Sequence, residues 1–285
     1  MIKARTLMKR PSLVRQILLG TRAGEVEVRT VEELRFLYRN GLLRKVQADF
    51  RKFRFGDFFK VVDSLDEDEL GAYVSNKSFS RALCNNIFEV KVPPRALELF
   101  VRFHPDLIKN LVQVLSAETL YHLYRIAGAS AGVWILDRAT LSARPELDGI
   151  VEEVLSDEKN LVENLRQLAA GVSEYRLEML QGFVLEKFIE LAKREDLVGA
   201  LAVLLLPKKE AEKFVDSPYP LKRAAVASKI EKVELLQKLS KDPAAEVQLA
   251  LLRRGFFVKS TLKKLLGRED EGARVIIPLI MCDSV

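Results

Sequence analysis

Leu221-Lys-Arg-Ala-Ala-Val-Ala-Ser228, Val233-Glu-Leu-Leu-Gln-Lys-Leu239 and Asp242-Pro-Ala-Ala-Glu-Val-Gln-Leu-Ala-Leu251 follow one another near the C-terminal end of the chain. Asp216 precedes Leu221 by five residues, Asp242 precedes Val247 by five, and Asp270 precedes Val275 by five. One leucine-rich run lies in each interval: Leu235, Leu236 and Leu239, then Leu262, Leu265 and Leu266. An acidic residue ahead of an apolar helical face, a turn, and a second apolar face together read as two short helices per repeat. Helices this short are marginal alone and are stabilised by stacking on their neighbours.

Working outward, the rest of the chain is punctuated in the same way. Thr30-Val-Glu-Glu33 forms a capping box ahead of Leu34, Leu37 and Tyr38, and Asn40-Gly41 closes that helix. Arg81-Ala-Leu-Cys-Asn85 reads as a short helix, Pro93-Pro94 opens another, and Pro105 ends it. Ser116 is placed to cap a helix bearing Leu120, Leu123 and Tyr124. Further helices are expected to start near Pro145, Asp157, Ser173, Asp196 and Pro207, and Asp242 is expected to cap the helix whose first turn holds Pro243. Sustained alternation of apolar and polar residues is lacking, so sheet is a minor component at most. The predicted fold class is all-α, a right- or left-wound α-solenoid of short helix pairs. A basic N-terminal helical segment over 1–62 packs on a repeat region over 63–285.

Composition narrows the functional classes. The chain has 285 residues, 48% hydrophobic, enough to bury a sizeable core. Two cysteines, Cys84 and Cys282, lie far apart, which argues against a disulfide scaffold and for a reducing, cytoplasmic setting. A charged fraction of 30% with little Asn, Gln, Met and Cys leans toward a thermophilic source. The longest apolar run, 197–206, is about half of what a membrane span requires and reads as a buried helix. The basic, acid-poor N-terminus fits a transit peptide loosely; its apolar patch is too short for a secretory signal.

The net charge of +6 is unevenly distributed. Residues 1–60 carry 15 Lys and Arg against 6 Asp and Glu, so the remainder is slightly acidic. Within this basic end, residues 50–60 contain five phenylalanines interleaved with four cations. Phe50, Arg51, Lys52, Phe53 and Arg54 are therefore the candidate binding residues, with aromatics to stack bases and cations to meet phosphates. The competing reading is core packing by a helix that Asp57 caps and that carries Phe58, Val61, Val62 and Leu65.

With these residues quoted, a resemblance can be stated. The alanine-rich helix 221–228, its leucine-rich partner and 242–250 resemble leucine-rich repeat variant and HEAT-like α-solenoid repeats, and 81–106 is similar in layout. Ser228-Lys229 and Arg254-Gly255 stand where those repeats usually carry Asn-Pro. The resemblance implies a binding scaffold with a concave or edge surface and no chemistry of its own.

Motifs with catalytic meaning give little. Gly128-Ala-Ser-Ala-Gly132 matches the nucleophile-elbow pattern, but an elbow follows a strand, 121–127 reads as helix, and both histidines precede Ser130. An EF-hand loop beginning at Asp66 fails at Leu70 and Lys77, so the stretch reads as a helix start with Ser64 or Asp66 as its cap. His104, His122 and Cys84 lack zinc-ligand spacing, and no phosphate-cradling glycine motif occurs. Trp134 with Asp137 and Arg138 evokes a glycosylase-like concavity by fold analogy only. The expectation is a non-enzymatic scaffold or adaptor for a protein partner, without cofactor or metal and away from membranes. The alternative is a nucleic-acid binder that uses the basic N-terminal region.

Overall fold

The computed structural model describes residues 1–22, 24–86, 92–141 and 144–254. The repeat elements expected around Leu262, Leu265, Leu266, Asp270 and Val275, and Cys282, lie outside the described residues. Among the described residues the protein is mostly helical, with three short strands. Contacts divide it into two compact units, Met1–Ala131 and Gly132–Val285. The sequence reading set its boundary at 62; the aromatic packing described below ties residues on both sides of that point together.

In the first unit, β1 (Ile2–Lys3), α1 (Ala4–Met8), α2 (Pro11–Leu18), β2 (Glu25–Glu27), α3 (Val31–Arg39) and β3 (Gln47–Asp49) come first. They are followed by α4 (Phe55–Val61), α5 (Glu67–Val74), α6 (Lys77–Asn86), α7 (Pro94–Phe103), α8 (Ile108–Val114) and α9 (Ala117–Ala127). The strands form one parallel sheet in sequence order, with Ile2, Val26 and Ala48 in register. Each strand is two or three residues long. Helices make the crossovers that parallel pairing requires. The inward row Ala4, Val28 and Phe50 is buried. Thr30 caps α3 by accepting the Glu33 N–H at 3.3 Å, and the Glu33 carboxylate accepts the Arg29 N–H at 2.7 Å. Gly41, at φ 65°, ends α3 in the left-handed conformation that lets the chain turn sharply into Leu42. Asp66 caps α5 through the Glu69 N–H at 2.6 Å, and Ser116 caps α9 through the Thr119 N–H at 3.4 Å.

The core of this unit is aromatic. Phe50, Phe53, Phe55 and Phe58 surround Phe79 of α6 with ring centroids 5.1–5.5 Å from it. Most of these contacts are edge-to-face, the arrangement that the ring quadrupole favours.

The second unit takes up α10 (Ala129–Leu141), whose first turn belongs to the preceding unit. It continues with α11 (Asp148–Ser156), α12 (Glu158–Gly171), α13 (Glu174–Glu178), α14 (Gly182–Ala192), α15 (Leu197–Leu205) and α16 (Lys208–Ala211). Then come α17 (Pro220–Lys229), α18 (Val233–Leu239) and α19 (Ala245–Arg253). Helix α15 packs on α12, α14 and α17, and α17 packs on α19. The run 197–206 is the buried helix anticipated, with Val198, Ala200, Leu201, Ala202 and Val203 almost inaccessible. Small residues on α17, namely Ala224, Ala225 and Ala227, are fully buried where its neighbours approach.

Polar side chains tie successive helices together. Lys229 Nζ, at the end of α17, donates to the Leu204 carbonyl at 2.6 Å and to the Leu206 carbonyl, closing α15. Arg254, just past α19, donates to the Ala227 carbonyl at 3.1 Å and to the Ile230 carbonyl, closing α17 in the same way. Asp157 and Asp196 cap α12 and α15 as expected. Asp242 departs from expectation: α19 starts at Ala245 with Ala244 as its N-cap, so Pro243 lies outside the helix. The Asp242 carboxylate is drawn away by Arg223, which binds it through Nε and Nη2, and it accepts only the Ala244 N–H, at 2.9 Å. Val247, Ala250 and Leu251 do turn inward and are fully buried.

Candidate functional site

The five residues singled out in the sequence separate into two sets. Phe50 and Phe53 are buried in the aromatic core, 5.8 Å apart and edge-on. They are therefore not a base-stacking platform, because a ring committed to the core has no free face. Arg51 and Lys52 between them, and Arg54 just after, are exposed. Arg51 is bound twofold by Asp49, with Nε at 3.0 Å from Oδ1 and Nη2 at 2.8 Å from Oδ2, and also donates its backbone N–H to that carboxylate. These bonds hold the Asp49 carboxyl below its ordinary range, and the charge of Lys52 adds to the effect. Arg29 holds Glu27 down likewise, with Lys52 and Lys3 assisting. A groove of about 470 Å3 beside β3 and α6 is lined by Glu25, Asp49, Arg51, Ser78 and Arg81. Acids and bases alternate there, so neither sign of potential dominates.

The remaining candidates resolve as structural parts. Ser130 lies in the first turn of α10, and the segment before it is helix α9 ending at Gly128, not the strand that a nucleophile elbow follows. His104 is buried, with Nε2 2.6 Å from the Val74 carbonyl, whereas His122 is exposed. Asp66 acts as a cap. Asp137 accepts from Arg176 Nη1 at 2.8 Å, and Nη2 of the same arginine reaches the Asp137 carbonyl and Thr140 Oγ1. Among the described residues no cluster of three or more His, Cys, Asp or Glu side chains could hold a metal ion, and no helix is long and apolar enough to cross a membrane.

Arg176 also lines a feature that sequence reasoning missed. A cavity of about 330 Å3 lies between the end of α10 and the short helix α13, lined by Ala139, Thr140, Leu141, Tyr175, Arg176 and Met179 among others. Three of its apolar side chains are unusually open to solvent: Leu141 at 57%, Tyr175 at 76% and Met179 at 64%. Tyr175 and Met179 stand four residues apart on one helical face, a spacing visible in the sequence; their exposure is not. Comparison with family models, with curated proteins and with solved structures gives no match to this chain.

Proposed function

We propose that the protein is a non-enzymatic α-solenoid scaffold that binds another protein, with the apolar cavity at Leu141, Tyr175 and Met179 as its contact. The observation that carries this reading is the grouping of three large, exposed apolar side chains around one concavity. Tyr and Met are enriched at the cores of protein interfaces, and a contiguous apolar patch has a cost in water that a partner removes. Arg176, which also lines the cavity, is held by hydrogen bonds to Asp137 and Thr140, so this part of the lining has little order to gain on binding. The solenoid part of the reading is supported by the succession of α15, α17 and α19 and by the equivalent roles of Lys229 and Arg254 in consecutive turns of the array. It agrees with the resemblance of 221–250 to HEAT-like repeats. The nucleic-acid alternative loses its stacking residues to the core and one of its three cations, Arg51, to Asp49.

Affinity capture with the full-length chain, using lysate from its source cells, tests the proposal. A protein recovered by the wild type and lost with Tyr175→Asp/Met179→Asp, at unchanged circular dichroism, supports it. Recovery indifferent to that double substitution overturns the site. Tight nucleic-acid binding with no protein partner overturns the reading as a whole.

A further inference from the structure

The largest of the cavities described here, about 530 Å3, lies in the first unit, between the end of α3, the end of α5 and the start of α6. Tyr38, Gly41, Leu43, Arg44, Ala72, Ser75, Asn76 and Lys77 form its walls. We propose that this cavity binds a small organic anion, in which an apolar or aromatic body rests on Tyr38, Leu43 and Ala72 and a phosphate or carboxylate meets Arg44 and Lys77. The proposal stands independently of the protein-binding reading, which concerns the other unit.

Its size falls in the range of small-ligand pockets, and its lining has their composition, an apolar wall with a few convergent polar groups. The cations are the telling part. Around the same unit Arg29 is paired with Glu27, Arg35 with Glu69, Arg51 with Asp49 and Lys60 with Asp57. Arg44 and Lys77, like Lys45, Lys52 and Arg54, form no ion pair among the described residues; what sets the two apart is that both line the concavity. Two exposed cations on one recess, neither held by a carboxylate, leave donors that an anion can take up, with the Asp66, Asp68 and Glu69 charges acting on Tyr38 of the same wall.

The wall is pre-organised. Tyr73 meets the Tyr38 ring edge-on, with centroids 5.7 Å apart and planes at 77°. The Tyr73 hydroxyl in turn donates to Glu69, which also accepts from Arg35 Nε at 3.0 Å. Burial, and after it the nearby Asp66, Asp68 and Glu69 charges, raise the Tyr38 hydroxyl above its usual value, so it remains a donor throughout the neutral range. Asn76 Oδ1 is occupied by the Ser78 and Phe79 N–H groups, each at 3.1 Å. The Ser78 and Phe79 amides in the first turn of α6 are thus already satisfied. Recognition falls to side chains: the Arg44 guanidinium, the Lys77 ammonium, the Tyr38 hydroxyl and Asn76 Nδ2.

Calorimetric titration of the full chain with phenyl phosphate, phenylacetate and neutral benzyl alcohol tests the site. One anion, or both, is expected to bind with a stoichiometry of one, and benzyl alcohol about tenfold more weakly or worse, the weight of a single charge-assisted hydrogen bond. Whichever anion binds more tightly identifies the headgroup. Arg44→Gln/Lys77→Gln is expected to weaken that anion about a hundredfold. Ala72→Phe, which fills the cavity without touching a charge, should abolish binding, while Lys9→Gln/Lys45→Gln should leave it unchanged. The proposal is overturned if neither anion binds, if Arg44→Gln/Lys77→Gln binds as well as the wild type, or if the control pair loses as much.

Discussion

Gly199, in the first turn of α15, lies directly against the carbonyl of Arg194: a Cβ at position 199 would stand 1.9 Å from that oxygen. The neighbour is backbone, and it is further held by Lys222 Nζ at 3.1 Å, so it cannot step aside. Gly199→Ala is therefore expected to destabilise the protein by about 3 kcal/mol, at the upper end of overpacking effects. Gly56→Ala, on α4 with open space around the same atom, should instead stabilise by about 0.5 kcal/mol through helix propensity. Urea titrations of the two variants measure the contrast; equal midpoints would refute the close approach.

Lys222 is only 1% exposed, and its ammonium donates to the Ala192 carbonyl at 2.9 Å, to the Arg194 carbonyl and to Glu195 Oε1 at 2.6 Å. Substituting Lys222→Met keeps the bulk and removes the donors, leaving the carbonyls that end α14 unsatisfied. A loss of about 3 kcal/mol is expected. Glu195→Gln leaves both carbonyls bonded but takes the counter-charge from the buried ammonium; with the Glu195 side chain itself about half exposed, it should cost less than Lys222→Met, about 1–2 kcal/mol. If both substitutions cost the same, the carbonyls are not what Lys222 serves.

Asp196 couples the start of α15 to pH. Burial pushes its carboxyl up, but the Arg194 guanidinium and the Gly199 and Val198 N–H groups outweigh that and hold it below its ordinary value of 3.8. Below that ordinary value the unfolded chain binds the proton more readily than the folded one. The contribution of Asp196 is thus complete above it and disappears as pH falls through the lowered folded value. Thermal melts across the acid range should therefore show a steeper loss of Tm for the wild type than for Asp196→Asn, which retains a capping oxygen. Parallel curves would show that this carboxylate does not contribute.

Asn164 on α12 is fully buried, and neither Oδ1 nor Nδ2 has a hydrogen-bond partner among the described residues. It faces Gly132 on α10, where a Cβ would fall 2.6 Å from Nδ2. Replacing the amide by an apolar group of similar length removes an unmet desolvation cost, so Asn164→Leu is expected to gain about 1 kcal/mol. Asn164→Asp should lose about 3 kcal/mol or more by burying a charge. Should Asn164→Leu be destabilising by that amount, a buried water satisfies the amide.

Helix starts were the most legible part of the sequence, because a cap is a local event. Thr30, Asp66, Ser116, Asp157 and Asp196 each bond a backbone N–H within three residues, and the chain alone places them. The parallel sheet was not legible. Its strands are two or three residues long, too short for alternation to register, although Glu25-Val-Glu-Val28 carries the pattern. Asp242 misled for a related reason: its caplike position is local, but the Arg223 that claims it lies 19 residues away. Both cavities are likewise built from residues distant in sequence, Tyr38 with Lys77 and Leu141 with Tyr175, so no motif could announce them.

The bonds from Lys229 and Arg254 run in one direction, each from a later helix back to the carbonyl end of an earlier one. Synthesis proceeds in the opposite sense to this dependence. When α15 leaves the ribosome its terminal carbonyls are open, and they stay open until Lys229 arrives; α17 then waits on Arg254. Each of these helix ends is thus completed only by a later helix, and a chain cut short after α15 or α17 keeps that helix with the carbonyls of its last turn unmet.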